Sequence, residues 1–133
     1  MPIAGEVIFA TDAPEDSGWL TGSTVSGWTG TGTTFIKYRM WGNLVTIRCV
    51  VSKSTSALTV SGDGNVSNTT VATISSSYAP SGNYPCLYSG QTGRTYSGMV
   101  DGSGNIKLTA AAPEGGNIAV NDIVSLYGSY LID

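Results

Sequence analysis

Hydrophobic and polar residues alternate most regularly between residues 33 and 51. The first run places one set of side chains on the same face of a strand: Ile36, Tyr38 and Met40. A second run follows the turn sequence Trp41-Gly42-Asn43 and repeats the pattern with Val45, Ile47, Cys49 and Val51. Successive strand side chains point to opposite faces, so two such runs joined by a short turn predict a β-hairpin. Lys37, Arg39 and Arg48 fall on its outward faces.

Shorter runs of the same period cover much of the remaining chain. They predict short strands within residues 19–32 and at 3–9, 57–60, 71–74, 86–88, 96–100, 106–110, 118–120 and 123–131. The sequence Asp101-Gly102-Ser103-Gly104-Asn105 predicts a hairpin turn between two of them. No stretch of ten residues has the 3.6-residue period of an amphipathic helix. About eight to ten short strands at this spacing predict an all-β fold, an antiparallel β-sandwich that is jelly-roll-like.

The length of 133 residues fits one domain with one hydrophobic core. Residues 1–18 contain two prolines and an acidic stretch, so we expect an N-terminal segment that leads into the domain. Residues 19–133 then form the β-sandwich domain. Within it, Tyr38 and Tyr127 occupy positions that we expect to face the core.

Composition narrows the class of protein further. Hydrophobic residues make up 41% of the chain, which is enough for a core, whereas charged residues make up only 11%. A surface this poor in charge lacks the helix formers of a helical bundle. The net charge of −3 and the repeated apolar runs argue against a disordered chain. Low surface charge also favours association, so we expect an oligomer.

Nucleic acid, membrane insertion and secretory export are not expected. The six basic residues are scattered and do not make the basic patch that nucleic acid requires. No apolar run approaches the roughly 20 residues that span a bilayer, so we expect no membrane insertion. The first residues, Met-Pro-Ile-Ala-Gly-Glu, lack the basic and apolar runs of a signal peptide. We therefore expect synthesis in a cytosol and no export by the secretory route.

The residue types argue against an enzyme. The chain has no His, which removes Ser-His-Asp and Cys-His arrangements and His-based metal sites. The acidic residues cluster in turns and near the termini, where Asp bonds its own backbone, and do not suggest the facing carboxylates of a glycosidase. The Asp101–Asn105 sequence resembles a short calcium loop but holds one carboxylate, so we expect a turn. We expect no catalytic residue, no cofactor and no metal.

Two cysteines, Cys49 and Cys86, lie in apolar strand-like runs. Two buried free thiols are the simpler interpretation for a protein made in a cytosol. A disulfide between them is the alternative, and the sequence does not decide between the two.

Binding is then the expected function, and a saccharide is a ligand class that suits the composition. Sugar rings pack their apolar side on aromatic faces while a few polar groups fix their orientation. The aromatic residues near polar segments include Trp19 and Trp41, but Trp41 precedes a turn and could cover the edge of the core. We predict these ligand-binding residues: Trp28, Tyr84, Tyr88, Gln91, Arg94 and Tyr96. The alternatives are core packing for the rings and, for Arg94, either a solvated charge or a clamp for a carboxylate.

Three stretches of the chain share a pattern with a known group of proteins. They are Trp19-Leu20-Thr21-Gly22, the strand-turn-strand segment from Tyr38 to Arg48, and the set formed by Val71–Ile74, Tyr78–Pro85 and Asp101–Ile106. In this order they resemble the C-terminal head domain of bacteriophage tail fibre and baseplate receptor-binding proteins. The resemblance covers roughly residues 19–130.

The resemblance implies a β-sandwich head that forms a homotrimer at the tail tip or baseplate of a virion assembled in the host cytoplasm. Its implied partners are a saccharide or another receptor on the host cell surface and other tail or baseplate proteins. The alternative is a structural virion module, for trimerisation or decoration, that binds no ligand. The family has no shared receptor motif, so the six predicted site residues rest on composition alone.

Overall fold

The computed structural model describes residues 15–30, 35–81, 86–91, 94–112 and 116–132. The strands are β1 (Leu20–Thr21), β2 (Ser23–Thr24), β3 (Trp28–Thr29), β4 (Phe35–Trp41), β5 (Leu44–Lys53), β6 (Asn65–Thr73), β7 (Cys86–Gln91), β8 (Arg94–Val100), β9 (Asn105–Ala112) and β10 (Ile123–Leu131). A 3-10 turn covers Ser76–Tyr78. The strand pairs are antiparallel, so the predicted all-β antiparallel class is confirmed. In the described ranges, no helix is long and apolar enough to cross a membrane.

The predicted hairpin is confirmed as β4 and β5. Their register runs from Trp41 opposite Leu44 to Phe35 opposite Val50. The expected inner face is buried, with Met40 half-buried and the others less than a tenth exposed: Ile36, Tyr38, Val45, Ile47, Cys49 and Val51. Alternation alone therefore predicted both the pairing and the buried side of this hairpin.

Three of the shorter predicted strands differ in the structure. β6 begins at Asn65 rather than at residue 71, because the fully buried Val66 extends the strand through a polar stretch. Its pairing with β9 shifts register twice, and such irregularities mask the period-two pattern in the sequence. The strands predicted at residues 57–60 and 118–120 are absent, and in their place Leu58 and Ile118 form one isolated bridge. The strand predicted at residues 3–9 lies outside the described residues.

The strands form one curled sheet whose two ends nearly meet. Its order is β1-β4-β5-β10-β7-β8-β9-β6-β2, with β3 added beside β5. The first and last strands of this order are consecutive in the chain and are separated only by Gly22. The Gly22 N–H donates a hydrogen bond to the Ile36 carbonyl at 2.9 Å. The chain thus passes from one end of the sheet to the other within a single residue.

The core lies inside this curled sheet and draws on nearly every strand. Its fully buried side chains include Ile47, Leu87, Ile106, Leu108, Ile118 and Leu126. The prediction for Tyr38 is confirmed, since it is 6% exposed, but the prediction for Tyr127 is wrong, since it is 38% exposed. Tyr130, 8% exposed, takes the inward position. β10 carries apolar residues on both faces, so its sequence does not reveal which face is inward.

Cys49 is a free, buried thiol on the inner face of β5, as the simpler interpretation predicted. Burial raises the pKa of this thiol to about 12, because the charged thiolate is poorly solvated inside the sheet. The side chain of Cys86 lies outside the described part of the chain.

The turn predicted between residues 101 and 105 joins β8 to β9, and its Asp101 side chain binds backbone N–H groups of the turn. The Asp101 carboxylate accepts hydrogen bonds from the Ser103 N–H at 2.9 Å and from the Asn105 N–H at 3.0 Å. Lys107 lies 3.2 Å away as an ion-pair partner. Burial by itself raises the pKa of Asp101, but the hydrogen bonds from Asn105, Ser103 and Lys107 outweigh burial and hold the pKa at about 2.

Because of this turn, part of the protein's folding stability depends on pH and is lost in acid. The folded-state pKa of Asp101 lies below its ordinary value of 3.8, so its contribution is complete above that value and disappears as the pH falls toward 2. We expect wild type to lose about 1–2 kcal/mol more than Asp101→Asn between pH 7 and pH 2.5, because the amide does not titrate. Urea unfolding at both pH values measures this difference. Equal losses in the two proteins would contradict the role of Asp101.

Candidate functional site

The outward side of β4, β5 and β10 carries an unusual set of side chains in cross-strand rows. In the first row, Trp41 lies opposite Leu44, and Leu44 lies opposite Leu131. The later rows are Arg39–Thr46–Ser129 and Lys37–Arg48–Tyr127. Paired residues on neighbouring strands point to the same side of a sheet. We call this surface, together with Trp19, the aromatic–cationic face.

Trp19 lies across this face, 45% exposed, although it precedes β1 in the chain. β1 pairs with β4, so Leu20 lies opposite Tyr38. The segment before Trp19 is also tied to β4, because the Ser17 N–H donates to the Met40 carbonyl at 2.9 Å. These backbone bonds on both sides of Trp19 hold its indole over the outward face of the hairpin.

Two guanidinium groups flank the indole. The guanidinium carbon of Arg39 lies 5.8 Å from the Trp19 ring centre, and that of Arg48 lies 5.9 Å from it. Arg48 also lies 5.6 Å from the ring centre of Phe35. Each distance is within the range of a cation–π attraction. The result is a continuous series of Arg39, Trp19, Arg48 and Phe35 along the face.

Trp19 also separates two open grooves. One has a volume of about 330 Å³ and is lined by Trp19, Arg39, Trp41, Leu44 and Thr46. The other has a volume of about 340 Å³ and is lined by Trp19, Phe35, Lys37 and Arg48. Both volumes are at the small end of ligand sites, large enough for one or two sugar rings. Aromatic walls with a few N–H and O–H donors are suited to the apolar faces and hydroxyl edges of such rings.

An acidic side chain partly neutralises one end of the face. Asp16 accepts a hydrogen bond from Arg39 Nε at 2.9 Å, and a second from Arg39 Nη2. The Gly18 N–H donates to the same carboxylate at 2.8 Å. The Arg39 hydrogen bond, followed by the Gly18 N–H, lowers the pKa of Asp16, and the same ion pair raises the pKa of Arg39. Both groups are therefore charged at neutral pH.

Comparisons with known proteins bear on the fold. No protein-family model and no curated protein sequence matches the chain. The structure is similar to the crystal structure of the receptor binding protein gp15 of Listeria phage PSA, with a TM-score of 0.55 and 19% sequence identity. The match covers 94% of this chain and 72% of that chain.

This chain shares its fold with a phage receptor-binding protein. The resemblance inferred from the sequence is therefore confirmed at the level of the fold. An identity of 19% transfers no site residue, so the site rests on the geometry of this chain.

Of the six residues predicted from composition, the structure describes the side chains of four, and two of these four, Trp28 and Tyr96, are buried. Trp28 is 5% exposed, and its ring packs on the Lys53 ammonium, 5.1 Å from the ring centre. Tyr96 is 4% exposed on the inner side of β8, where burial raises its pKa. Neither ring presents a face to solvent, because both large side chains fill the core beneath polar segments. Tyr84 and the side chain of Gln91 lie outside the described residues.

The other two predicted residues lie on different parts of the surface. Arg94 donates a hydrogen bond to the Asn117 carbonyl at 3.0 Å and another to the Gly116 carbonyl. The Arg94 guanidinium therefore contacts the backbone of residues 116 and 117. Tyr88 is 62% exposed on β7 and lies opposite Tyr127, at the margin of the aromatic–cationic face. Ligand contact by any of the six residues stays a prediction.

Apart from Trp19, which precedes β1, the residues that the composition missed are on strands rather than loops. Alternation within β4 already puts Phe35 and Trp41 on the same side as Lys37 and Arg39, opposite the buried Ile36. That pattern is a signal for an aromatic and cationic strand face, and it is readable from sequence. The placement of Trp19 on this face cannot be predicted from the sequence, because β1 has only two residues and therefore shows no alternation.

Proposed function

We propose that this chain is a receptor-binding domain of a bacteriophage tail or baseplate, and that it attaches to a saccharide on the host cell surface through the aromatic–cationic face. The observation that carries the proposal is Trp19, exposed between two grooves and flanked by Arg39 and Arg48. The shared fold with a phage receptor-binding protein supports the same role. Exposed aromatic groups bordered by hydrogen-bond donors are what a sugar ring requires.

We also propose that the domain binds its ligand without transforming it. A glycosidase needs one carboxyl group whose pKa is raised, so that it is protonated and can act as a general acid. Among the described residues, the acidic group bound to this face is Asp16, and its pKa is lowered by Arg39 and Gly18. An ionised carboxylate held by a guanidinium is unsuited to donate a proton.

A homotrimer at the tail tip or baseplate is the assembly that we propose. The row of Trp41, Leu44 and Leu131 supports it, since these apolar side chains are 56%, 37% and 74% exposed and adjacent. A second copy that covers this row would bury apolar surface in a chain with few charges to oppose association. The groove beside Trp41 would then lie near a subunit boundary, and three such sites would act together.

Adsorption of the purified protein to bacterial cells tests the proposal directly. We expect saturable binding to cells of a permissive host, competition by polysaccharide extracted from their walls, and loss of binding after periodate treatment, which cleaves sugar diols. Protease treatment of the cells should leave binding intact. Loss of binding after protease but not after periodate would make the receptor a protein, and no binding to any permissive host would overturn the receptor-binding role.

A structural virion module without a ligand is the second candidate. The same exposed row of Trp41, Leu44 and Leu131 favours it, because self-association alone would account for that row. It does not account for the Trp19 grooves on the same face. A protein that assembles but does not adsorb to cells in the experiment above would favour this candidate.

A further inference from the structure

Positive charge is concentrated on the aromatic–cationic face of an otherwise acidic chain. The sequence has six Lys and Arg residues against nine Asp and Glu, and three of those six lie on outward positions of β4 and β5: Lys37, Arg39 and Arg48. Lys37 and Arg48 are directly opposite each other in the register. Like charges in that position are destabilising. A stability argument alone does not explain why this pair is present.

The other three cations serve the structure. Lys53 is buried and donates to the Gly27 carbonyl at 2.9 Å. Arg94 holds the carbonyls of residues 116 and 117, and Lys107 pairs with Asp101. Each of these three cations therefore has a partner within the chain, which explains its presence without a ligand.

Arg48 differs from the rest. Among the described residues, no hydrogen bond or ion pair engages its guanidinium, whose neighbours are the rings of Trp19 and Phe35. By contrast, Arg39 is held by Asp16, and the Lys37 ammonium donates to the Thr21 hydroxyl at 2.7 Å. Ring contacts use the flat face of a guanidinium and leave its N–H edge able to donate in the plane. Arg48 lines the groove that Trp19, Phe35 and Lys37 also line.

We propose that the saccharide recognised by this face carries anionic groups, phosphate or carboxylate, and that Arg48 contacts them directly. This inference rests on the proposed receptor-binding function and specifies its ligand. A guanidinium binds a phosphate or carboxylate oxygen pair through two parallel N–H donors. Lys37 adds a second positive charge beside the same groove, and the anion relieves the repulsion between Lys37 and Arg48.

Asp16 allows a variant that should strengthen binding, as a complement to the Arg48 variant that should weaken it. Its carboxylate occupies Arg39 as an anionic ligand group would, so the chain itself competes for one of the three cations. Asp16→Asn removes that competitor and one negative charge from the edge of the face. An anionic ligand should then bind more tightly, whereas a neutral ligand should not respond.

The experiment measures adsorption of the full chain to permissive cells at 50 and 500 mM NaCl. We expect Arg48→Gln to lower the apparent affinity by about tenfold at 50 mM, with a smaller difference at 500 mM because salt screens the contact. Asp16→Asn should raise the affinity by about two- to fivefold. Lys107→Gln removes the same unit of charge on β9 and should change adsorption by less than about twofold, while thermal melting confirms that each variant is folded.

Each result either supports or overturns the proposal. If wild type adsorbs but Arg48→Gln behaves like Lys107→Gln, the anionic ligand is wrong and the receptor-binding function stands. If wild type does not adsorb at all, the function itself fails. Cell walls treated with hydrofluoric acid lose phosphodiesters, and walls reduced after carbodiimide activation lose carboxylates, so the treatment that abolishes binding identifies the anion. Binding that survives both treatments overturns the proposal.

Discussion

Gly22→Ala is expected to lower the free energy of unfolding by about 2–3 kcal/mol. A methyl group added at this position would lie 2.5 Å from the Thr73 carbonyl oxygen and 2.6 Å from Cγ2 of Ile36. Thr73 ends β6, which pairs with β2, and Ile36 belongs to β4, which pairs with β1. The added atom would therefore separate the two ends of the sheet at the point where the chain joins them.

Gly62→Ala is the matched control for this variant. Nothing lies within 4 Å of a methyl group placed at Gly62, which is exposed in the turn before β6. We expect its unfolding free energy to stay within about 0.5 kcal/mol of wild type. Urea denaturation of the three proteins gives the comparison. Equal stability of Gly22→Ala and Gly62→Ala would show that the two ends of the sheet do not meet as tightly as described.

The part of the fold that could be predicted from the sequence is the hairpin, where apolar and polar residues alternate regularly. In β4, apolar and polar residues alternate without exception from Ile36 to Met40, and the turn at Gly42-Asn43 fixes the pairing with β5. Register in a hairpin follows from the turn and from which face is buried. β10 shows where this reasoning ends, because Tyr127 and Leu131 are apolar yet face outward.

The candidate site was harder to predict because its parts are distant in sequence. Loop composition directed the prediction to Trp28 and Tyr96, whose neighbours are polar but whose rings are buried. Polar neighbours do not expose an aromatic ring when the next strand covers it. Trp19 reaches Arg48 only because β1 pairs with β4, and a two-residue strand leaves no pattern to detect.

Trp19→Ala is expected to cause a large loss of cell adsorption under the proposed function. The indole forms a wall of both grooves and is flanked by Arg39 and Arg48. Its removal merges the grooves and leaves Arg39 without its ring contact and Arg48 with Phe35 alone. Loss of one aromatic contact of about 1–2 kcal/mol lowers the affinity of a single site by roughly tenfold. If three sites engage together, the losses compound to roughly 100- to 1,000-fold.

Tyr88→Ala gives the informative comparison, since Tyr88 is the more exposed ring, at 62% against 45% for Trp19, but lines neither groove. We expect it to keep adsorption within about threefold of wild type. Adsorption isotherms for both variants give the loss of affinity, and light scattering gives the mass of the assembly. Together they distinguish the loss at a single site from the larger loss expected when three sites bind at once. A mass equal to one chain would limit the Trp19→Ala loss to about tenfold and would contradict the trimer. If Tyr88→Ala loses adsorption while Trp19→Ala adsorbs fully, the binding site lies on β7 and not in the grooves, because the ring whose removal lowers adsorption is the ring that contacts the ligand.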